Sequence, residues 1–271
     1  MKTTKIFIIV GAVVLTVFTS AFINSKNSNR PKVAANNGFA VVELYTSEGC
    51  SSCPPADAVV AKLEKESAGK PIYILAYHVD YWNNLGWKDI FSSADYSKRQ
   101  REYAQYLNLS SVYTPQIVVN GKTEFVGSEE NTLHKAINAA LQKEAPSQLA
   151  LTDIKIAQNQ AMVHYQAESI GNHSELLLAL VQKSAQSHVK AGENSGRNLS
   201  HVQIVQKLQS IALNNTKSGT QNITLPNDFT PQNWEIIGFI QNTSTGEIMG
   251  AAKAGFGPVQ NENPATVKNT K

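Results

Sequence analysis

Cysteine is scarce in this sequence, and neither sign of charge dominates it. The 271 residues include two cysteines, and the formal net charge at pH 7 is only +3. A disulfide scaffold needs more cysteines spread along the chain, and nucleic-acid recognition usually leaves a clustered basic face. The composition therefore argues against both classes, while 42% hydrophobic residues suffice for one large core or two modest ones.

A long apolar run lies at the N-terminus. Lys2 and Lys5 precede a mostly apolar segment that ends near Ile23. A basic start followed by an apolar stretch is typical of a secretory signal, although this run approaches the length that spans a bilayer. We expect residues 1–24 to be a signal peptide or an N-terminal membrane anchor, residues 25–37 to be a polar linker, and the protein to be exported, periplasmic or secreted.

The two cysteines, Cys50 and Cys53, form a Cys-x-x-Cys pair directly after an apolar run, residues 41–45, that predicts a buried strand. From Ala56 onward apolar residues recur at helical spacing, so the pair sits in a strand-to-helix turn. A helix N-terminus favours thiolate over thiol. We therefore expect Cys50, on the solvent side of the turn, to attack a disulfide and Cys53 to resolve the mixed disulfide. Because Pro55 follows so closely, the helix should begin late or be bent.

A second apolar run, residues 72–77, completes a strand–helix–strand unit. Its strands should be parallel, which brings His78 and Asp80 near the thiols. His78 could tune a thiolate or shuttle a proton, although a structural histidine at a strand end is about as common, and Asp80 better fits a loop cap. In the next loop Trp82 and Trp87 either line a groove for an apolar partner or pack the loop down.

The next segment supplies two helices and a hairpin. Residues 92–107 predict a helix that Ser93 or Asp95 can cap, and a further helix opens near residue 128. Between them, Asn120-Gly121 separates two β-rich runs and predicts a tight hairpin turn. Residues 38–145 therefore have the order β-α-β-α-β-β-α.

This order, with Cys-x-x-Cys in the first strand-to-helix turn and Thr114-Pro115 just before the hairpin, resembles the thioredoxin fold. The chain is similar, more closely, to the domain of unknown function 1223 family, exported proteins of the thioredoxin-like superfamily. The strings that carry the closer resemblance include EGCSSCPPAD at 48–57, HVDYW at 78–82, LGW at 85–87, VYTPQ at 112–116 and GENSGRNLSH at 192–201.

The resemblance implies that the Thr114–Pro115 peptide bond is cis, that Pro115 packs against the cysteines, and that the backbone of Thr114 pairs with an extended substrate. Together with the residues near the thiols, this gives Thr114, Pro115, His78 and Trp82 as candidate substrate-binding residues. The family's chemistry is not established, so the resemblance implies fold and compartment more than activity.

From residue 146 the sequence alternates between apolar and polar residues, which predicts strands. One helix is expected within them, from Ser200 to Leu213, because apolar residues recur there at helical spacing. We predict a small antiparallel β-rich, sandwich-like domain over residues 146–256, followed by a disordered tail at 257–271. The fold class is thus α/β, a thioredoxin-like fold followed by this β-rich domain. Glu193, Arg197 and His201 form either a polar site or ordinary loop ion pairs.

The leading functional hypothesis is an exported thiol-disulfide oxidoreductase in which Cys50 and Cys53 are catalytic. Its partners would be protein thiols or disulfides and a redox partner protein, with no cofactor and no nucleic acid. A zinc site would need two more ligands beside the cysteines, and none has the right spacing, so we expect no metal. Two alternatives stay open: a peptide- or glycan-binding protein whose disulfide is structural, and a Cu(I) carrier that uses the thiolates with His78.

Overall fold

A computed structural model describes residues 38–214 and 216–257, which belong to one compact unit. The predictions for residues 1–24, 25–37 and 258–271 lie outside the described residues. Among the described helices, none is long and apolar enough to cross a membrane.

The first part of the chain has the predicted order of helices and strands. Its elements are β1 (Ala40–Thr46), α1 (Cys53–Glu66), β2 (Ile72–His78), α2 (Ala94–Tyr106), β3 (Gln116–Val119), β4 (Thr123–Val126) and α3 (Glu130–Leu141). The second part consists of strands: β5 (Gln148–Ala157), β6 (Gln160–Glu168), β7 (Ser174–His188), β8 (Asn198–Ala212), β9 (Ser218–Thr224), β10 (Trp234–Asn242) and β11 (Ile248–Gly255). Short 3-10 helices lie at Asn83–Leu85 and Pro231–Asn233.

Eight of the strands form one mixed sheet in the order β11-β10-β7-β8-β2-β1-β3-β4. Strands β1 and β2 are parallel, and β8 joins β2 in parallel where Ala76 lies opposite Ile204. The large sheet therefore contains strands from both sides of residue 146, where we predict a domain boundary. The boundary itself stays a prediction. The join brings residues near position 200 beside the carboxyl end of β2.

Helix α1 begins at Cys53, with Ser52 as its N-cap residue. Pro54 and Pro55 thus fall in the first turn, where backbone N–H groups have no intrahelical acceptor to lose. The late start expected from Pro55 is confirmed. Cys53 and three further residues of the helix, Ala56, Val60 and Leu63, are buried.

Two local predictions, the Ser93 cap of α2 and the tight turn at Asn120-Gly121, are also confirmed. The Ser93 side chain caps α2 by accepting a hydrogen bond from the backbone N–H of Asp95. Asn120 and Gly121 have φ of 50° and 68°, the left-handed values that a tight hairpin turn requires. Gly121 also lies so close to the carbonyl group of Gly246 that a Cβ atom would collide with it.

The helix predicted from Ser200 to Leu213 is wrong, because these residues belong to β8. Strand β8 pairs with β7, and the register shifts so that Lys207 and Val205 lie opposite consecutive β7 residues. Such a bulge adds one residue to a strand, which converts a spacing of two between buried side chains into three. The bulge produces the spacing of three between Val205 and Leu208, which pack in the same cluster. Val202 and Ile211 pack in other clusters, so apolar residues from both faces of β8 complete a spacing that imitates a helix.

The remaining three strands form an antiparallel sheet in the order β5-β6-β9. One face of this sheet packs on the large sheet through Val163 and Tyr165, which share an apolar cluster with Leu178 and Ile236. The antiparallel β-rich character predicted for the second half is confirmed. Strand β9 was not predicted, since its sequence is polar and only Ile223 in it is buried.

A buried ionic cluster joins α2 to the large sheet. It consists of Glu43, Arg99, Tyr103 and Gln241, and we call it the structural cluster. Arg99 Nε lies 2.7 Å from Glu43 Oε1, and its other nitrogens donate to Gln241 Oε1 and to the Tyr103 hydroxyl at 3.0 Å each. The Tyr103 hydroxyl donates in turn to Glu43. These contacts link both halves of the chain.

Candidate functional site

The Cys-x-x-Cys pair lies at the junction of β1 and α1, as predicted. The backbone N–H of Cys53 donates to the carbonyl oxygen of Cys50 at 3.2 Å, which closes the turn. Both cysteines are free thiols. Cys50 is only 1% exposed and Cys53 is 0% exposed, so the expectation that Cys50 lies on the solvent side of the turn is wrong.

The two thiols have opposite acidities. A hydrogen bond from the Cys53 thiol lowers the pKa of Cys50 to about 7. Burial opposes this shift, while hydrogen bonds from the backbone N–H groups of Ser52 and Cys53 add to it. Burial raises the pKa of Cys53, and the neighbouring Cys50 and Asp57 raise it further. Cys50 is therefore the sulfur that ionises near neutral pH, and Cys53 keeps its proton.

Thr114 and Pro115 lie beside the first cysteine. The Cys50 thiol donates to the backbone oxygen of Thr114 at 3.8 Å, and the Thr114–Pro115 peptide bond is cis, as the resemblance implies. The indole Nε1 of half-buried Trp82 donates to Thr114 Oγ1 at 2.8 Å. Trp82 also packs on the turn, because a Cβ atom at Gly49 would lie 3.0 Å from the Trp82 Cβ. These side chains border the thiol of Cys50.

The loop between β7 and β8, residues 189–197, covers the cysteine turn, and we call it the capping loop. The side chain of buried Asn194 donates to the backbone oxygens of Glu48 and Cys50, each at 2.9 Å. Glu193 Oε2 accepts the backbone N–H of Ser51 at 2.9 Å. Arg197 holds Asn194 in place by donating to its Oδ1 at 2.8 Å. The second half of the chain thus completes the surroundings of the cysteine turn.

Behind the turn lies a buried acid–histidine cluster, which consists of Glu48, Asp57, His78, Asp89 and His201. His78 Nδ1 and Asp89 Oδ2 are 2.7 Å apart, and both side chains are fully buried. The His78 and His201 rings meet edge to face with centroids 4.8 Å apart. Although burial lowers the pKa of His78, the charge and hydrogen bond of Asp89, together with the charges of Asp57 and Glu48, outweigh it and raise this pKa. The same pairing lowers the pKa of Asp89 against the effect of its burial.

His201 lies between two carboxylates of this cluster. Its Nε2 is 3.4 Å from Glu48 Oε1, and its Nδ1 is 3.7 Å from Asp57 Oδ2. Burial raises the pKa of Asp57, and the charge of His201 counteracts part of that rise. Glu48 also accepts a hydrogen bond from Trp87 Nε1 at 2.6 Å, and its pKa is lowered because its hydrogen bonds outweigh burial.

The remaining predicted polar residues lie elsewhere than expected. His78 is 0% exposed and faces the acid–histidine cluster, so we reassign it from substrate contact to that cluster. Asp80 accepts a hydrogen bond from Ser97 Oγ at 2.5 Å, which ties the end of β2 to α2. Glu193, Arg197 and His201 do not converge, since the first two belong to the capping loop and His201 points into the acid–histidine cluster.

Sequence reasoning missed Asp57, Asp89 and Asn194, and also Thr46, whose hydroxyl donates to Asp57 Oδ1 at 3.0 Å. Asp57 and Asn194 stand in two strings of the family resemblance, 48–57 and 192–201, which was the available signal. Within the described ranges, no group of three or more His, Cys, Asp and Glu side chains has the arrangement to hold a metal ion. His78 contacts Asp89 and His201, and the Cu(I) alternative that joins it to the thiolates stays a prediction.

Comparison with known proteins gives a family and two similar structures. A protein of Agrobacterium tumefaciens from a structural genomics consortium is 26% identical, with a TM-score of 0.61 over 85% of this chain and 100% of that one. HBP35 of Porphyromonas gingivalis has a TM-score of 0.59 over 88% of this chain and 82% of that chain. Its 17% identity makes this a likeness of fold alone. No curated protein matches the chain. The model of the protein family of unknown function DUF1223 matches residues 41–241, and the chain therefore belongs to that family.

Proposed function

We propose that this protein is an exported, thioredoxin-like thiol-disulfide oxidoreductase that uses Cys50 and Cys53. In this proposal the Cys50 thiolate attacks a disulfide of a partner protein, and Cys53 resolves the resulting mixed disulfide. The order of elements along residues 40–141 supports the thioredoxin-like assignment. The cis bond before Pro115, next to the first cysteine, supports it as well.

The observation that carries the proposal is the opposite acidity of the two thiols. Exchange requires one sulfur that is a thiolate at working pH and a second that attacks only after the first has reacted. A pKa of about 7 suits Cys50 for the first step. The raised pKa of Cys53 keeps it protonated until the mixed disulfide removes the negative charge of its neighbour.

Thr114 supports the proposal from the substrate side. Its backbone oxygen lies 3.8 Å from Cys50 Sγ, at the edge just before β3. An extended peptide that pairs with this edge would carry its own sulfur to Cys50. Trp82 borders the same edge and offers an apolar contact to a bound chain.

A second candidate function is favoured by the burial of Cys50. A sulfur that is 1% exposed is a poor target for a partner protein. If the capping loop stays closed, the pair serves as a local structural bridge, and the protein acts as a non-catalytic binder of peptides or glycans. Under the first proposal, the capping loop must move before a protein disulfide reaches Cys50.

The deciding experiment measures alkylation of the reduced full chain by iodoacetamide between pH 5 and 9, with exchange against glutathione disulfide in parallel. We expect the alkylation rate to follow a pKa near 7 and exchange to disappear in Cys50→Ser. The Cys53→Ser variant is the matched control, since it should form a mixed disulfide with glutathione and stop there. A wild-type chain that neither alkylates nor exchanges at pH 7 would favour the binding function.

A further inference from the structure

A cavity of about 260 Å³ lies in the large sheet, between β2 and β8. The two strands pair at a single position, where Ala76 lies opposite Ile204, so they separate toward the start of β2. The cavity occupies this gap and is lined there by Ile72, Tyr73 and Ile74. Because β1 and β2 are parallel and the cysteine turn follows the end of β1, the cavity and the cysteines lie at opposite ends of these strands.

Gln203, next to the single pair, lines this cavity in an uncommon conformation. Its φ of 55° lies in the left-handed region, which long side chains rarely adopt inside a strand. Gln203 is only 6% exposed, and its amide oxygen, Oε1, has no hydrogen-bond partner among the described residues. A strained backbone and a buried acceptor without a donor both destabilise the free protein, and this combination is typical of a binding site.

Glu235 brings a second acceptor to the cavity from β10. It is 8% exposed, and no hydrogen bond or ion pair joins its carboxylate to any other residue that the structure describes. A glutamate this deeply buried is normally paired. The amide oxygen of Gln203 and the carboxylate of Glu235 therefore line the same cavity without a donor. An ammonium group carries a positive charge and several N–H donors, so it can satisfy both acceptors.

Two lysines that line the cavity supply the opposite charge. Lys183 and Lys253 lie on the strands that flank β10, each two residues along from the partner of Glu235, so they share its face of the sheet. Neither forms an ion pair within the described residues, although Lys183 donates to the backbone oxygen of Gln232 at 3.0 Å. With half-buried Glu64, the lining has two carboxylates and two ammonium groups. This balance favours a ligand that carries both charges.

The remaining wall of the cavity is apolar. Ile72, Ile74 and Ile237 line it and are at most 5% exposed. Its volume lies below the range of about 300–1,000 Å³ that is usual for drug-sized ligands, so the occupant must be a smaller molecule. Such a molecule would combine an ammonium group for the two acceptors, a carboxylate for the lysines and a short apolar group for the isoleucines.

We propose that the cavity between β2 and β8 binds a free α-amino acid with a branched apolar side chain, such as leucine. The ammonium group of the ligand donates to Glu235 and to Oε1 of Gln203, its carboxylate accepts from Lys253 and Lys183, and its side chain packs on the isoleucines. This inference does not depend on the exchange function, because neither cysteine lines the cavity.

The test is isothermal titration calorimetry of the full chain with leucine and two analogues. Isoamylamine keeps the branched side chain and the ammonium group but lacks the carboxylate, whereas 4-methylpentanoate lacks the ammonium group. We expect leucine to bind at one site per chain with a Kd below about 1 mM. Each analogue loses its charge-assisted contacts at one end and should bind at least about tenfold more weakly.

Three variants test the assigned contacts. Glu235→Gln keeps the shape of the side chain and removes its charge, Lys253→Met removes the free ammonium group, and Gln203→Met removes the amide from a side chain of similar length. Each should weaken leucine binding by about tenfold. Lys207→Met is the matched control, because Lys207 is an exposed lysine of β8 that does not line the cavity. It should bind leucine as the wild type does.

Three outcomes overturn the inference. The first is the absence of saturable leucine binding by the folded wild-type chain up to about 10 mM. The second is an analogue that binds as tightly as leucine, which would make the cavity a site for a single charge. The third is unchanged affinity in both Glu235→Gln and Lys253→Met, which would place bound leucine elsewhere. Circular dichroism checks that each variant folds, and the analogues on the wild-type chain decide if one does not.

Discussion

The molecule has two buried ionic clusters, and they differ in how their charges are balanced. In the structural cluster one guanidinium, that of Arg99, meets one carboxylate, that of Glu43, with both partners hydrogen-bonded within 3.0 Å. The acid–histidine cluster has three carboxylates and two imidazoles. Four of its buried atoms, namely Glu48 Oε1, His78 Nε2 and both ring nitrogens of His201, have no hydrogen-bond partner among the described residues.

This difference means that the structural cluster serves the stability of the fold, whereas the acid–histidine cluster can take part in acid–base chemistry. An arginine keeps its charge at every accessible pH, so the cation of the structural cluster does not change with pH. Imidazoles change charge near neutral pH. The cluster beside the cysteines is thus the one that can respond to proton movement.

The largest expected effect comes from breaking the structural cluster. Arg99→Met leaves the Glu43 carboxylate buried without its partner and should lower the free energy of unfolding by about 3–5 kcal/mol. Urea unfolding followed by circular dichroism measures this loss. Arg101→Met is the control, since Arg101 is an exposed arginine of the same helix and should change stability little. A loss below about 1 kcal/mol in Arg99→Met would contradict a structural role for the cluster.

A smaller loss is expected at the capping loop. Asn194→Ala removes two hydrogen bonds to buried carbonyl oxygens and should cost about 1–3 kcal/mol. Because these bonds hold the loop on the cysteine turn, Cys50 should also react faster with iodoacetamide in this variant. Asn198→Ala, an exposed residue that contacts His188, is the matched control. Unchanged alkylation in Asn194→Ala would show that the loop does not limit access to Cys50.

Part of the fold and part of the candidate site could be predicted from the sequence. The strands and helices of residues 38–145 were predictable because their signals are local: periodic apolar residues, the Ser93 cap and the Asn120-Gly121 turn. Strand β8 was mistaken for a helix because its bulge, together with apolar residues on both of its faces, gives a helical spacing. The cysteine pair was predicted from its motif, and Thr114 from the resemblance to the thioredoxin fold.

The rest of the site depends on contacts between distant parts of the chain. His201 lies more than 120 residues after His78, and their rings meet only because β8 joins β2 in the sheet. Nothing in the local sequence of Asp57 or Asn194 predicts that either residue faces the cysteines. The family strings placed both residues near functional positions without giving them a role.

The smallest expected effect is a pH dependence of stability that the acid–histidine cluster should produce and the structural cluster should not. The raised pKa of His78 means that its pairing stabilises the fold fully below the ordinary value of 6.5 and that this stability is lost as pH rises through the folded pKa. The lowered pKa of Asp89 stabilises the fold above its ordinary value of 3.8, and this is lost as pH falls through the folded pKa. The pair therefore contributes most between these two ordinary values.

The measurement uses a Cys50→Ser background, because the lowered pKa of Cys50, about 7, stabilises the wild-type fold as pH rises through the same range. In this background we expect the melting temperature to fall slightly from pH 6 to pH 8.5, and an added His78→Gln to flatten this trend. Differential scanning calorimetry across that range measures it, with exposed His188→Gln as the control. The same slope with and without His78→Gln would show that another group is responsible.

The most direct test of the central claim, that Cys50 and Cys53 perform thiol-disulfide exchange, is the reduction potential of the pair. It is obtained by equilibrating the full chain with glutathione and dithiothreitol buffers and counting free thiols. We predict a value between about −270 and −120 mV, the range of known thiol-disulfide oxidoreductases. A value well below about −300 mV, typical of structural disulfides, would contradict it and favour the binding function.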